Sequence, residues 1–226
     1  MLMTVVAFAG CNKPEEEPEE EPNNNEESFN PTYVDLGLPS GTLWASCNVG
    51  AETPEGYGDY FAWGETETKT TYGWSTYKYA NGGSDQLTKY CDTASSGYNG
   101  FTDNLTVLLP EDDAATANWG SGWCMPIKEQ WEELYQNTTH TWTTQNGVNG
   151  RLFTASNGNS LFLPATGFRW GADLTLVDSY GYYWSSSLNT DNPNTASDIG
   201  ITPDGFNMNI TYRFSGLTVR PVRSAR

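Results

Sequence analysis

The most regular pattern in the chain lies near its C-terminal end. Phe206, Met208, Ile210 and Tyr212 alternate there with Asn207, Asn209, Thr211 and Arg213. A period of two predicts a strand with one face on a core and the other facing solvent or ligand. The preceding Pro203-Asp204-Gly205 is a turn signal, and Ile199-Gly200-Ile201 supplies a strand before it. Upstream, Tyr182-Tyr183-Trp184 reads as a strand. Leu152-Phe153-Thr154 and Leu161-Phe162-Leu163-Pro164-Ala165 read as a hairpin across Ser156-Asn157-Gly158-Asn159, continued by Gly167-Phe168-Arg169-Trp170. Near the start, residues 33–45 read as strand, Pro39-Ser40-Gly41 turn, strand, and residues 56–65 as a loop with a short aromatic strand.

Helical signals are fewer. Residues 110–119 predict a short helix, with Pro110, Glu111, Asp112 and Asp113 in its first turn and Gly120 at its end. The two Asp residues serve helix-start electrostatics more simply than a metal. Ile127, Trp131, Leu134 and Tyr135 fall on one face of a second helix. Residues 66–106 form a long insertion rich in Tyr, Thr, Gly and Ser, and its Trp74, Tyr77 and Tyr79 are expected to pack it down. The pattern as a whole predicts a loop-rich, strand-rich domain with few helices.

Composition refines this picture. The 226 residues include nine Trp, thirteen Tyr and nine Phe. Each buried aromatic removes roughly 150–250 Å² from water, so a few of them build a substantial core. The formal charge is −17. A chain this acidic lacks the electrostatic footprint of a nucleic-acid binder, and none is expected as a partner.

The first residues, Met1–Gly10, are apolar and end in Phe8-Ala9-Gly10-Cys11. Ten residues do not span a bilayer. Residues 12–30 carry eight Glu and one Lys, so seven of the negative charges are local. Such a segment cannot bury apolar surface and reads as a disordered acidic tether, at most about 60 Å long when extended.

Three cysteines remain after Cys11, namely Cys47, Cys91 and Cys124. An odd count leaves at least one free thiol, and the sequence does not choose a disulfide pair. There is no CxxC, and His140 is the only histidine, so no metal site and no cofactor are expected. His140 lies in Thr- and Asn-rich chain and reads as a surface loop residue. No nucleophile, base or carboxylate pair stands out, so the chain is not expected to be an enzyme.

Several segments carry a family resemblance. Tyr33-Val34-Asp35-Leu36-Gly37-Leu38-Pro39-Ser40-Gly41-Thr42-Leu43-Trp44 comes first. Gly122-Trp123-Cys124-Met125-Pro126 with Glu129 and Trp131 follows, then Gly181-Tyr182-Tyr183-Trp184-Ser185-Ser186, then Val219-Arg220-Pro221-Val222. Together, over residues 33–223, they resemble the Fibrobacter succinogenes major paralogous domain of Bacteroidetes lipoproteins. That family is similar to the C-type-lectin-like fold shared with the formylglycine-generating enzyme, whose catalytic cysteine motif has no counterpart here; the resemblance implies an α+β domain of short twisted antiparallel sheets with about two helices and extensive loops. Two positions depart from the family pattern: Cys124 replaces a frequent Arg, and Ile127 replaces a frequent helix-capping Thr. The start of the chain resembles a lipoprotein signal, which implies lipidation at Cys11. The acidic run after it resembles a surface-export signal, which implies an outer-membrane protein, lipid-anchored and exposed at the cell surface.

The organisation expected is therefore a signal remnant and lipidated Cys at 1–11, a tether at 12–30 and one C-type-lectin-like domain at 31–226. Its expected role is binding an extracellular protein or glycan. The expected contact residues lie among the polar positions of the closing strands: Asn189, Asp191, Asn192, Asn194, Asp198, Asn207, Asn209, Thr211, Arg213 and Thr218, with Tyr212 and Phe214 as aromatic anchors. Asn, Thr, Ser and Tyr make adaptable contacts at low entropic cost. The richness of residues 189–218 in these types also resembles the variable proteins of diversity-generating retroelements. The alternative is a structural subunit of an envelope or adhesive assembly.

Overall fold

The computed structural model describes residues 31–224. The expected lipidation site Cys11 and the acidic tether lie outside the described residues. Strands β1 (Tyr33–Asp35) and β2 (Thr42–Ala45) pair antiparallel around the Pro39-Ser40 turn. Strand β3 (Tyr60–Phe61) is short and fully buried. The insertion follows, with no regular element longer than a 3-10 turn. Helix α1 (Ala114–Trp119) and helix α2 (Lys128–Asn137) come next. A meander follows of β4 (Thr138–Gln145), β5 (Val148–Ala155) and β6 (Ser160–Pro164), and then a small hairpin of β7 (Phe168–Trp170) and β8 (Asp173–Thr175). The chain closes with β9 (Gly181–Leu188), β10 (Thr195–Thr202), β11 (Gly205–Tyr212), β12 (Leu217–Thr218) and β13 (Val222–Ser224). The result is an α+β domain of small, mostly antiparallel sheets with two α-helices and much irregular chain.

The central sheet has the order β11-β10-β9-β12-β3. Its middle strand β9 is covered on both faces, which is why its sequence is a run rather than an alternation. Tyr183 points into one core with Trp44, Trp131, Leu134, Phe153, Ile199 and Ile201. Trp184 points into the other with Trp63, Tyr77, Tyr90, Phe214 and Leu217. Both rings are fully buried. Buried indoles and phenols keep a polar atom that needs a partner. Trp184 Nε1 donates to the Phe61 carbonyl at 2.7 Å, Trp63 Nε1 to Ser185 at 2.8 Å, and Tyr183 Oη to Pro164 at 2.6 Å. These bonds fix the rings in orientation and tie β9 to elements far away in sequence.

The helices follow their sequence signals with two adjustments. Residues 110–112 form a 3-10 turn, and α1 begins only after Asp113, whose carboxylate accepts from Thr116 N–H at 3.0 Å. Its other oxygen accepts from Met125 N–H at 2.8 Å. Ile127 offers α2 no side-chain cap. Half of a capping box survives, since Gln130 Oε1 accepts from Ile127 N–H at 3.0 Å. At the same end of the fold, Glu133 receives Ser40 N–H at 2.8 Å and Ser40 Oγ at 2.5 Å, clamping the first turn onto α2.

Strand β4 was not expected from its Thr-rich sequence. Its hairpin with β5 turns on Asn146-Gly147, both in the left-handed region at φ 49° and 86°. That is the type I′ geometry this dipeptide favours, and the dipeptide was the available signal. His140 accordingly lies on β4 and not on a loop. Its ring stacks on Tyr135 at 4.6 Å, and Nδ1 meets Arg151 Nη1 at 2.8 Å. Burial and the Arg151 charge both hold its pKa below the ordinary value.

The insertion packs down as its aromatics predict. Tyr77 and Tyr79 are buried, and Trp74 meets Phe214 edge-on at 5.0 Å. Beneath them, Asp112 accepts from Tyr79 Oη, from Tyr90 Oη at 2.6 Å and from Lys89 Nζ. Cys47, Cys91 and Cys124 are all free thiols, so no disulfide forms among the described residues.

Since Trp184 holds one core and anchors β3, Trp184→Ala should cost about 3–5 kcal/mol in a urea titration. Trp184→Phe keeps most of the apolar area and loses the bond to Phe61, so it should cost clearly less.

Candidate binding site

The closing hairpin is built as its sequence predicts, with β10 and β11 in unbroken register from Thr195–Tyr212 to Thr202–Gly205. Thr202 Oγ1 accepts from Asp204 N–H at 3.2 Å and Gly205 N–H at 3.0 Å, closing the turn. The faces of β11 depart from expectation. Phe206 alone of its apolar row is buried, stacked on Tyr135 at 4.8 Å and edge-on to Phe153 at 6.0 Å. Met208, Ile210 and Tyr212 are 37%, 60% and 44% exposed. The alternating polar row includes Asn209 and Thr211, which are half-buried. The period was right, but only Phe206 of the apolar row meets the core, while Met208, Ile210 and Tyr212 stay partly exposed.

The expected contact residues separate into two groups. Asp191, Asn192, Asn207 and Tyr212 are exposed, and Asn189, Asn209 and Thr211 are half-buried. Asn194, Asp198, Arg213, Phe214 and Thr218 are buried, and all but Asn194 and Phe214 are completely so. These five cannot be surface contacts, because a macromolecule reaches only accessible atoms. Asn194 belongs to the β10 end, where its N–H donates to Asn192 Oδ1 at 3.2 Å and its carbonyl accepts from Arg213 N–H at 3.1 Å. Thr218 Oγ1 donates to the Tyr182 carbonyl at 3.0 Å, and Phe214 is part of a core.

Arg213 has a structural task. Its Nε donates to Tyr77 Oη at 2.8 Å, Nη1 to the carbonyls of Tyr90 and Pro193 at 3.0 and 2.9 Å, and Nη2 to that of Lys89 at 2.9 Å. The guanidinium also lies over the Trp63 ring at 4.9 Å. It joins the insertion to the closing strands. Arg213 continues the ladder one step beyond Tyr212 on the Asn209 and Thr211 face, and at that end of the strand this face is covered by the insertion.

What the strands present to solvent is an aromatic groove of about 500 Å³. Its walls are Phe168, Trp170, Tyr182 and Tyr212, with Ile210 and Leu217 between them and Asn192, Thr195 and Thr211 as polar groups. No Asp, Glu, Lys or Arg is among these lining residues. Trp170, 47% exposed, meets Phe214 edge-on at 4.7 Å and Tyr212 at 6.0 Å, while Tyr212 stacks on Phe214 at 5.5 Å. Phe168 in turn meets Tyr182 edge-on at 5.4 Å. The rings are thus held by one another and by the β7–β8 hairpin, which is itself bonded to the insertion through Tyr72 and Gly171 at 2.8 Å in both directions. Phe168, Trp170 and Tyr182 were not foreseen as site residues. The available signal was Phe168-Arg169-Trp170, an alternation too short to show which face is covered.

Beneath the outer strands sits Asp198, fully buried, with neither carboxylate oxygen hydrogen-bonded among the described residues. Burial pushes its pKa up to about 7, opposed by the neighbouring Thr211 and Asn209 side chains. Among the described residues, no group of three or more His, Cys, Asp or Glu gathers as a metal site. No helix among them is long and apolar enough to cross a membrane.

No family model, curated protein or solved structure matches this chain.

Two predictions follow from the buried groups. Arg213→Met leaves three carbonyls and a phenol without their donor, so it should cost about 3–5 kcal/mol in stability. For Asp198, the folded state binds its proton more tightly than the unfolded chain does. Between about pH 4, the unfolded value, and pH 7, the folded value, this group therefore removes stability as pH rises. Asp198→Asn should be more stable than the wild type at pH 8, by on the order of 2 kcal/mol. That difference should vanish or reverse near pH 4 when urea midpoints are compared.

Proposed function

We propose that this protein is a surface lipoprotein whose domain is a non-catalytic binding module for an extracellular protein or glycan. In this reading it is anchored through Cys11 in the outer membrane and held out from it by the acidic segment at 12–30. The domain belongs to the C-type-lectin-like group that the major paralogous domain resembles. The observation that carries the reading is the aromatic groove, in which Trp170 and Tyr212 expose ring surface on elements locked by packing and hydrogen bonds. Recognition sites combine apolar walls with a few placed polar groups, and rigid aromatic side chains give contact area at small entropic cost. Asn192, Thr195 and Thr211 supply the polar groups. The accessible members of the expected polar set, Asp191, Asn192 and Asn207, lie on the same closing segment and widen the contact face.

The test uses the full chain carrying Cys11→Ser, so that no lipid is attached, on arrays of host and bacterial glycans and surface proteins. Calcium and chelator conditions are run side by side. A specific ligand should lose at least about tenfold in affinity with Trp170→Ala, and again with Tyr212→Ala, at an unchanged melting temperature. Binding that survives both substitutions would place the contact elsewhere. The absence of any ligand for a folded domain would favour the structural-subunit alternative.

A further inference from the structure

The outer edge of β11 offers a second kind of contact. In the ladder with β10, Arg213 N–H donates to the Asn194 carbonyl, one step beyond the Thr195–Tyr212 pair. Antiparallel pairs alternate, so the N–H and C=O groups of Phe206, Met208, Ile210 and Tyr212 turn away from β10. The Tyr212 carbonyl is taken by Ser215 N–H at 2.9 Å. Among the described residues, no other element bonds the rest of this row, since β11 is the terminal strand of its sheet.

Soluble proteins blunt such edges with Lys, Pro, bulges or a covering loop. Gly205–Tyr212 has no charged residue and no Pro, and its pairing with β10 runs without a bulge. Its side chains add exposed apolar surface at Met208, Ile210 and Tyr212. A row of free donors and acceptors at strand spacing is matched by another extended strand and by little else.

We propose that β11 pairs antiparallel with β11 of a second copy of this chain, making one continuous sheet across a twofold axis. The strand's own sequence supports this occupant. Outward groups must meet outward groups, which permits a register centred on Asn209. There Met208 faces the partner's Ile210, and Phe206 faces the partner's Tyr212. Asn207 then faces the partner's Thr211. Apolar meets apolar and polar meets polar along the whole strand, as a self-complementary interface requires. Charge points the same way. Two chains of net charge −17 repel, so they meet most readily along an uncharged stretch, and this register sends the two Asp204 carboxylates to opposite ends.

The experiment is sedimentation of the Cys11→Ser full chain over the micromolar range, together with amide hydrogen exchange. The expected result is reversible association from the 24.9 kDa monomer to twice that mass, with the amides of Met208, Ile210 and Tyr212 slowing as concentration rises. Ile210→Lys should weaken association at least tenfold without lowering the melting temperature. Met208→Pro removes one outward N–H while sparing the β10 ladder, and should act likewise. A monomer throughout the range, or a dimer whose β11 amides exchange at the monomer rate, would overturn the proposal. The exchange result decides the matter even if a variant folds poorly.

Discussion

A guanidinium removed from water must find acceptors for its N–H groups, and the whole arrangement around the groove depends on how Arg213 finds them. It has no carboxylate partner in the core. Its acceptors are the Tyr77 hydroxyl and three main-chain carbonyls, two from the insertion and one from the loop before β10. The rings of Trp63, Tyr77 and Tyr90 lie around it within 6 Å. Carbonyls at fixed positions are satisfied only if the loops carrying them are in place, so one side chain specifies the path of two irregular segments. Arg220 does the same at the other end of the closing stretch. It donates to Asn48 Oδ1 at 2.7 Å and to the carbonyls of Ala45 and Ser46 at 3.2 and 3.0 Å. A loop-rich domain with no disulfide among its described residues needs such pins, because irregular backbone cannot satisfy its polar groups through ladders of its own.

The exposed face follows from geometry. Helix α2 has ten residues, hence a length of about 15 Å, while the eight-residue β11 spans about 27 Å. The helix supports Phe206 through Tyr135, and only its Lys128 and Glu132 border the far half of the strand, sharing a hollow with Met208 and Ile210. Met208, Ile210 and Tyr212 are left on an uncovered sheet face beside the β7–β8 hairpin, and that hairpin raises Trp170 to complete the groove. The aromatic groove follows from that exposed face, whereas the unpaired edge follows separately from β11 being the terminal strand of its sheet.

Much of the fold was legible because strongly periodic or punctuated segments declare themselves. The β9 run, the Pro203-Asp204-Gly205 hairpin and the apolar face of α2 all formed where the sequence placed them. Strand β4 escaped because Thr, His and Gln give no apolar alternation, and only Asn146-Gly147 marked its turn. The closing segment was read as one polar surface, and the structure divides it into exposed and buried positions. Polar side chains in a closing segment look like contacts, yet Asp198 is internal because β10 lies between β9 and β11, and Arg213 because the insertion covers it. A period of two shows that two faces exist. It does not show which face the rest of the protein covers.

That distinction bears on how freely the closing segment can change. Exposed positions such as Asp191 and Asn207 have few fixed side-chain partners and tolerate substitution at small cost. Asn194, Asp198, Arg213, Phe214 and Thr218 lie inside, where a new side chain must fit existing volume and satisfy existing donors. Asp198 is the exception within that buried group, since its unbonded carboxylate opposes folding at neutral pH and a neutral amide would not. Keeping a charge-capable group where it weakens the fold makes the outer strands less secure as the pH rises. Those are the strands that carry Ile210, Thr211 and Tyr212 into the groove, so the pH dependence of stability is felt in the groove's own wall.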